Sequence, residues 1–342
     1  MKKLLIIFLL FSSVVFSQDE FNGNYKKHLT FSDTFFGNEE DYQVCYPKEH
    51  RTFFYGIFFA SATAITLFIV VLYIKSKHNK TLTWANKEIS EKNKEILDSI
   101  RYAKRIQESI LPTASHISNI SDNIAVMYKP RDIVSGDLYW IHKCKEGIYL
   151  AVIDCTGHGV PGAFLSLLAH NAIEQAIMEK GLTSPTKILD SMNSFIKGVL
   201  NQNNSDEISD GMEVGLCLVN DNKIIYAGAN IKLKYFSNGA LNELKGAKCT
   251  VGSVQQGVIE LPKDHELILK KGDRLFMHSD GIVDQFGGPA LKKFTSKSVN
   301  KLLEETSSSR LSTQYEKVKE VFENWKGNVE QTDDVLLLMY EV

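Results

Sequence analysis

The chain has 342 residues, 44% of them hydrophobic, and its 39 basic and 41 acidic side chains leave a formal net charge of −2. That length suffices for one large folded domain with extensions, and the even charge balance excludes the strongly basic surface expected of a nucleic-acid binder. Five cysteines without any Cys-x-x-Cys spacing argue against a zinc ribbon or a disulfide framework.

Residues 1–17 open with Lys2-Lys3, run through an apolar stretch and reach the small Ser17. This is the pattern of a secretory signal peptide cleaved before Gln18; left uncleaved, it would be a first membrane anchor. Residues 18–52 form a short extracytoplasmic segment, too small to bury a core of its own. Its aromatics, among them Phe21, Tyr25 and Tyr42, suit a partner or the membrane interface, and equally a loosely ordered stalk. Residues 53–74 carry no charge and are long enough to cross a hydrocarbon layer of roughly 30 Å. Lys75, Lys77 and Lys80 come directly after, against Lys48 and Arg51 before the span, a bias that predicts everything beyond it on the cytoplasmic side.

Leu82, Ile89, Ile96, Ala103 and Ile110 then recur every seven residues, with Ile100 and Ile106 joining the stripe. The spacing predicts a helical linker over 75–111 that pairs as a parallel coiled coil, making a homodimer, or lays its stripe on the next domain. Pro112 ends it, because the residue before a proline is pushed out of helical geometry. From Asn123 onward the pattern changes to β-like runs at 124–128, 138–142, 148–153, 214–219, 223–227, 232–236, 266–269, 274–278 and 335–340. Helical periodicity marks 160–180, 185–200, 291–305 and 311–325. Short polar turns between adjacent runs predict antiparallel hairpins, so residues 112–342 read as an α+β domain of sheets covered by helices.

Five acidic motifs sit against these runs: Val134-Ser135-Gly136-Asp137, Asp154-Cys155-Thr156-Gly157-His158-Gly159, Asp210-Gly211-Met212, Ser279-Asp280-Gly281, and Gln331-Thr332-Asp333-Asp334. In antiparallel sheets one strand's end and its neighbour's start share a rim, so these carboxylates can converge there. Clustered carboxylates repel one another unless a cation neutralises them, and oxygen ligands match a hard divalent ion. Any single Asp-Gly pair is ordinarily just a turn; the set in this order is far more specific.

From about Ile100 to Val342, with Tyr102-Ala103-Lys104-Arg105-Ile106-Gln107 at its start and the acidic motifs beyond it, the chain resembles the SpoIIE-like branch of the PPM metal-dependent serine/threonine phosphatases. The resemblance implies two antiparallel sheets sandwiched between helices and a centre of two Mn²⁺ or Mg²⁺ ions. It implies that Asp154 bridges the ions, that Asp280 with Asp333 or its neighbour Asp334 completes one, and that Asp137 with the Cys155 carbonyl holds the other. Asp210 matches a position near a third ion in some relatives, and reads equally as a loop turn. His158 stands two residues beyond the position where other phosphatases of the superfamily carry a candidate general acid; it either donates a proton or orients the turn. Arg131 or Lys129 could hold a substrate phosphate. The usual Asn-x-Pro-Leu and Pro-Ile-Gly segments read Asn230-Ile231-Lys232-Leu233 and Thr250-Val251-Gly252 here, changes that touch substrate-facing loops and no metal position. The expected protein is an inner-membrane bacterial phosphatase acting on a phosphorylated regulator such as an anti-sigma-factor antagonist, or else a catalytically silent scaffold.

Overall fold

The computed structural model describes residues 48–200, 210–253 and 260–342, so the expected signal peptide and nearly all of the extracytoplasmic segment lie outside the described residues. The chain divides into two compact units, Met1–Ala85 and Asn86–Val342. In the first, the described residues belong to helix α1 (Lys48–Ile110). It is the one helix among the described residues long and apolar enough to cross a membrane, with a mean hydropathy of 2.5 over its most apolar window of 18 residues. Its hydroxyls turn inward: Ser61, Thr63 and Thr66 each donate to a backbone carbonyl three or four residues earlier. That removes polar groups from a surface that would face lipid.

The second unit opens on the last turns of α1. Here Ile100, Ala103 and Ile110 are partly buried and Gln107 is fully buried, whereas Ile89, Ile96 and Ile106 stay exposed. The seven-residue stripe therefore divides, and its C-terminal part takes the three-four spacing 100, 103, 107, 110 onto the domain's own core. A short helix α2 (Ala114–Ile120), capped by Thr113, comes next and was not legible as a periodic run.

Two five-stranded sheets form the centre of this unit. One has the order β1 (Ile124–Lys129), β12 (Val335–Glu341), β9 (Arg274–His278), β6 (Leu233–Ser237) and β7 (Ala240–Leu244). The other has the order β2 (Asp137–Cys144), β3 (Gly147–Cys155), β4 (Met212–Asn220), β5 (Lys223–Ala229) and β8 (His265–Ile268). Each neighbouring pair runs antiparallel, including the β2–β3 and β4–β5 hairpins expected from their short turns.

The sheets stack face to face through Leu150, Val152, Tyr226, Leu275, Leu336 and Leu338. Helices α3 (Gly159–Glu174) and α4 (Pro185–Val199) cover the outer face of the β2–β8 sheet. The outer face of the other sheet is covered, past the single turn α5 (Gly281–Asp284), by α6 (Thr295–Glu305) and α7 (Leu311–Lys326). Strand β12 is apolar at six consecutive positions because both of its faces are buried: Leu336 and Leu338 meet the other sheet while Leu337 and Met339 meet the helices.

The helix expected from 291 starts only at Thr295. Leu291 takes a left-handed φ of 47°, and Lys292–Lys293 (β11) pair with Phe286–Gly287 (β10) as a small hairpin. The helix expected over 160–180 closes with a π-helical turn at Gln175–Glu179.

Candidate metal centre

Strand register assembles the first acids. Asp137, the first residue of β2, lies directly opposite Asp154 on β3, and Asp154 lies opposite Glu213 on β4. The second sheet contributes from the same end: Ser279 comes just after β9, Asp280 immediately precedes α5, and Asp333-Asp334 lead into β12. Ser279 ties the sheets together. Its Oγ donates to Asp137 Oδ2 at 2.6 Å and accepts the Leu336 amide at 3.0 Å. Gly281 permits the approach of the two acidic segments, since a Cβ there would collide with the Asp334 carbonyl and sit 3.3 Å from Asp333 Cβ. Any larger residue would push them apart.

The neighbours Asp333 and Asp334 are placed differently. Asp334 is buried, and its carboxylate accepts the amides of Arg131 and Gly136, each at 2.7 Å, so it pins the loop before β2. Its own amide donates to Asp333 Oδ1 at 2.8 Å. The Asp333 charge acts on Asp280, Asp154 and Asp137, and the Asp334 charge acts on Asp137 as well. Burial and the charges of Asp280 and Glu213 push the Asp154 carboxyl up to about 8. Asp137 is raised well above the usual carboxylate range by burial and by Asp154. Asp280 is raised by burial and Asp333, and Glu213 by burial and Asp280. These acids are thus held in mutual repulsion, which a bound cation would relieve.

Among the described residues, no three acidic, histidine or cysteine side chains are already closed around one point. The rim offers carboxylates two at a time, Asp137 with Asp154 and Asp280 with Asp333. That suits a hard cation of the Mg²⁺ type, which keeps several waters and takes one or two protein carboxylates. The residues fit the group that the resemblance implies.

The remaining expected residues separate. The Cys155 thiol is buried in the core under α3, while its backbone carbonyl lies 3.2 Å from where a Gly136 Cβ would be, at the rim. Thr156 donates to the Gly211 carbonyl from both its amide, at 2.9 Å, and its hydroxyl, at 3.0 Å, so it anchors the strand entry beside Asp210. Asp210 itself is half-buried just ahead of β4. His158 Nδ1 lies 2.7 Å from Asp132 Oδ2, both side chains being about half exposed at the entrance to α3. Arg131 is exposed on the loop that Asp334 pins. Lys129 is turned away, paired with Glu323 and lying over the Phe322 ring of α7, so it is not free to hold a phosphate at the rim.

Four residues at or behind the rim carried no clear signal in the sequence. Glu213 fell between the Asp210-Gly211-Met212 motif and the strand expected from 214. Ser279 was part of a motif but carried no expected role. Asp132 was masked by its loop, and Gln107 sat among expected apolar positions. Gln107 Nε2 donates to the Ser135 carbonyl at 2.6 Å and to Ser166 Oγ at 2.8 Å, while its Oε1 accepts the Ser135 amide at 3.1 Å. A strict search for three-four spacing along 100–110 would have found it.

A two-sheet sandwich covered by helices, with an acidic rim where both sheets end, is the architecture of PP2C-type phosphatase domains. The SiaA-PP2C domain of Pseudomonas aeruginosa superposes with a TM-score of 0.65 and 31% identity, over 73% of this chain and 98% of that one. The model for Stage II sporulation protein E (SpoIIE) matches residues 145–342, and the chain belongs to that family. The phosphoserine phosphatase RsbU of Bacillus subtilis is 24% identical over 197 residues, covering 56% of this chain and 55% of that protein. The chain thus spans about half the length of this curated relative. The phosphatase domain of SpoIIE from Bacillus subtilis shares the fold, with a TM-score of 0.52 at 16% identity over 64% of this chain and 62% of that one.

Proposed function

We propose that this chain is a membrane-anchored, metal-dependent phosphoserine/phosphothreonine protein phosphatase whose catalytic domain faces the cytoplasm. The observation that carries the reading is the convergence of Asp137, Asp154, Glu213, Asp280 and Asp333 on one rim, at the cost of raised pKa values for the first four. A scaffold without turnover has no use for such repulsion. Two Mn²⁺ or Mg²⁺ ions bound here would acidify water and neutralise phosphate charge.

The chain's own residues prepare that site. Asp154 lies between Asp137 and Glu213 in the strand register and feels the charges of Asp280 and Asp333, which supports it as the ligand shared by two ions; Ser279 orients Asp137 through its short hydrogen bond. Asp334 serves as the loop clamp, leaving Asp333 as the ligand of the pair. Asp132 holds His158 across the turn through Nδ1, which gives the side chain a role in orienting that turn. The exposed Arg131, on the loop that Asp334 pins, is the residue proposed to meet a substrate phosphate. The similarity to RsbU supports a phosphorylated regulatory protein as substrate. The exposed residues Leu82, Ile89 and Ile96 support pairing of two copies along the linker.

Full-length protein in detergent should release phosphate from an aryl phosphate and a phosphoserine peptide only with Mn²⁺ or Mg²⁺, and chelation should abolish turnover. Asp154→Asn, Asp280→Asn and Asp333→Asn should each lose at least about 100-fold in kcat with circular dichroism unchanged. Full turnover in any of the three would remove that residue from the centre, and full turnover in all would end the metal reading.

A further inference from the structure

The small hairpin between α5 and α6 is rigid at its base and costly at its tip. At the base, Gln285 is fully buried: its Nε2 donates to the Glu330 carbonyl at 3.0 Å and its Oε1 accepts the Thr332 amide at 3.1 Å, next to Asp333. The strand Phe286–Gly287 lies flat on α7, where the Gly288 amide donates to the Trp325 carbonyl at 2.8 Å and a Gly287 Cβ would collide with that oxygen. The tip does the opposite of minimising cost. Leu291 adopts φ 47°, a conformation in which glycine or asparagine would be unstrained, and its side chain is 63% exposed. Phe286, at the base and opposite Lys293, is 40% exposed, with Lys293 Nζ 6.0 Å from its ring centroid. A strained residue that buries nothing at home points to a use elsewhere.

The hairpin's surroundings indicate that use. Lys293 Nζ pairs with Asp284 at 2.8 Å, and both charges act on the candidate ligand Asp280. Lys292 is exposed on the same strand. An exposed apolar tip with the exposed Lys292 next to it thus stands at the edge of the acidic rim, on a base that holds the loop of Asp333.

We propose that this hairpin is the docking edge for the substrate chain. It would seat a segment in which the phosphoserine is flanked by an apolar side chain, covered by Leu291, and by acidic residues, met by Lys292. Charge complementarity favours that occupant: the exposed Lys292 offers the acidic neighbours of a phosphoserine a cation beside a rim whose own side chains are carboxylates. The proposal rests on the phosphatase reading, because a docking edge has meaning only beside a working centre.

The test uses full-length protein, Mn²⁺, an aryl phosphate, and two phosphoserine peptides, one flanked by leucine and glutamates and one by alanines and lysines. Wild type should prefer the leucine-glutamate peptide. Leu291→Gly should lower the ratio of kcat/KM on that peptide to kcat/KM on the aryl phosphate by about tenfold, while its Tm holds or rises because the strain is gone. Lys292→Glu should reverse the preference between the peptides. An unchanged ratio in Leu291→Gly, or equal wild-type turnover of both peptides, would overturn the docking edge alone. Failure of wild type to hydrolyse even the aryl phosphate would overturn the phosphatase reading and the docking edge with it.

Discussion

Lys234 on β6 is 1% exposed, and its Nζ has no hydrogen-bond partner. Its cross-strand neighbour Glu243 is instead paired with Lys232 at 3.0 Å. Burial lowers the Lys234 ammonium from its ordinary 10.5 to about 8. Below that value the folded chain carries an uncompensated buried charge, whereas between about 8 and 10.5 only the folded form has released the proton. Stability should therefore rise with pH through this window. Lys234→Met, which keeps the volume and removes the charge, should raise Tm at pH 7 by roughly 2–8 °C, for a gain of about 1–2 kcal/mol. That advantage should shrink toward pH 10. Thermal melts of the pair across pH 7–10 decide it: equal Tm at pH 7 would mean the amine finds a partner in solution. Residue-scale costs of this kind are invisible in the sequence, where a lysine in a strand reads as an outward-facing position.

At the scale of elements, the end of α1 matters more than its apolar stripe suggested. Gln107 imitates a neighbouring strand by pairing with both backbone groups of Ser135. Ser135 Oγ in turn accepts the Asp137 amide at 3.0 Å. A helix is thereby joined by hydrogen bonds to the loop that delivers a candidate metal ligand. Gln107→Ala would strand the Ser135 amide and carbonyl in a buried place, a loss of about 1–3 kcal/mol. It should lower Tm and, by loosening Asp137, raise the Mn²⁺ concentration needed for half-maximal binding, measured by calorimetry independently of turnover. A Tm loss with unchanged Mn²⁺ affinity would restrict Gln107 to packing. The hairpin β10–β11 shows the reverse failure of periodicity: Leu291 to Glu305 matched a helix in spacing, yet pairing with Phe286–Gly287 claimed its first residues.

For the whole molecule, pairing of two copies along α1, as proposed above, would make rotation about the helix axis an input to the phosphatase domain. Inserting one residue between Lys92 and Lys94 turns the C-terminal remainder of the chain by about 100°, and inserting seven nearly restores the phase. Phosphate release from full-length protein in membranes should vary with that phase across one to seven insertions; a flat profile would make the helix a plain tether. Period, turn residues and charge act locally along the chain, and so the sequence by itself determined the order of apolar strands and helices, the hairpins, the charge-free span and the acidic motifs. Which acids meet was decided only in three dimensions. Asp333 and Asp334 are indistinguishable as neighbours, and only the amides of Arg131 and Gly136, about 200 positions away in the chain, take Asp334 and leave Asp333 facing Asp280. Glu213 and Gln107 likewise gained their places from register and packing, since a single polar residue in or beside an apolar run carries no sign of what it will face.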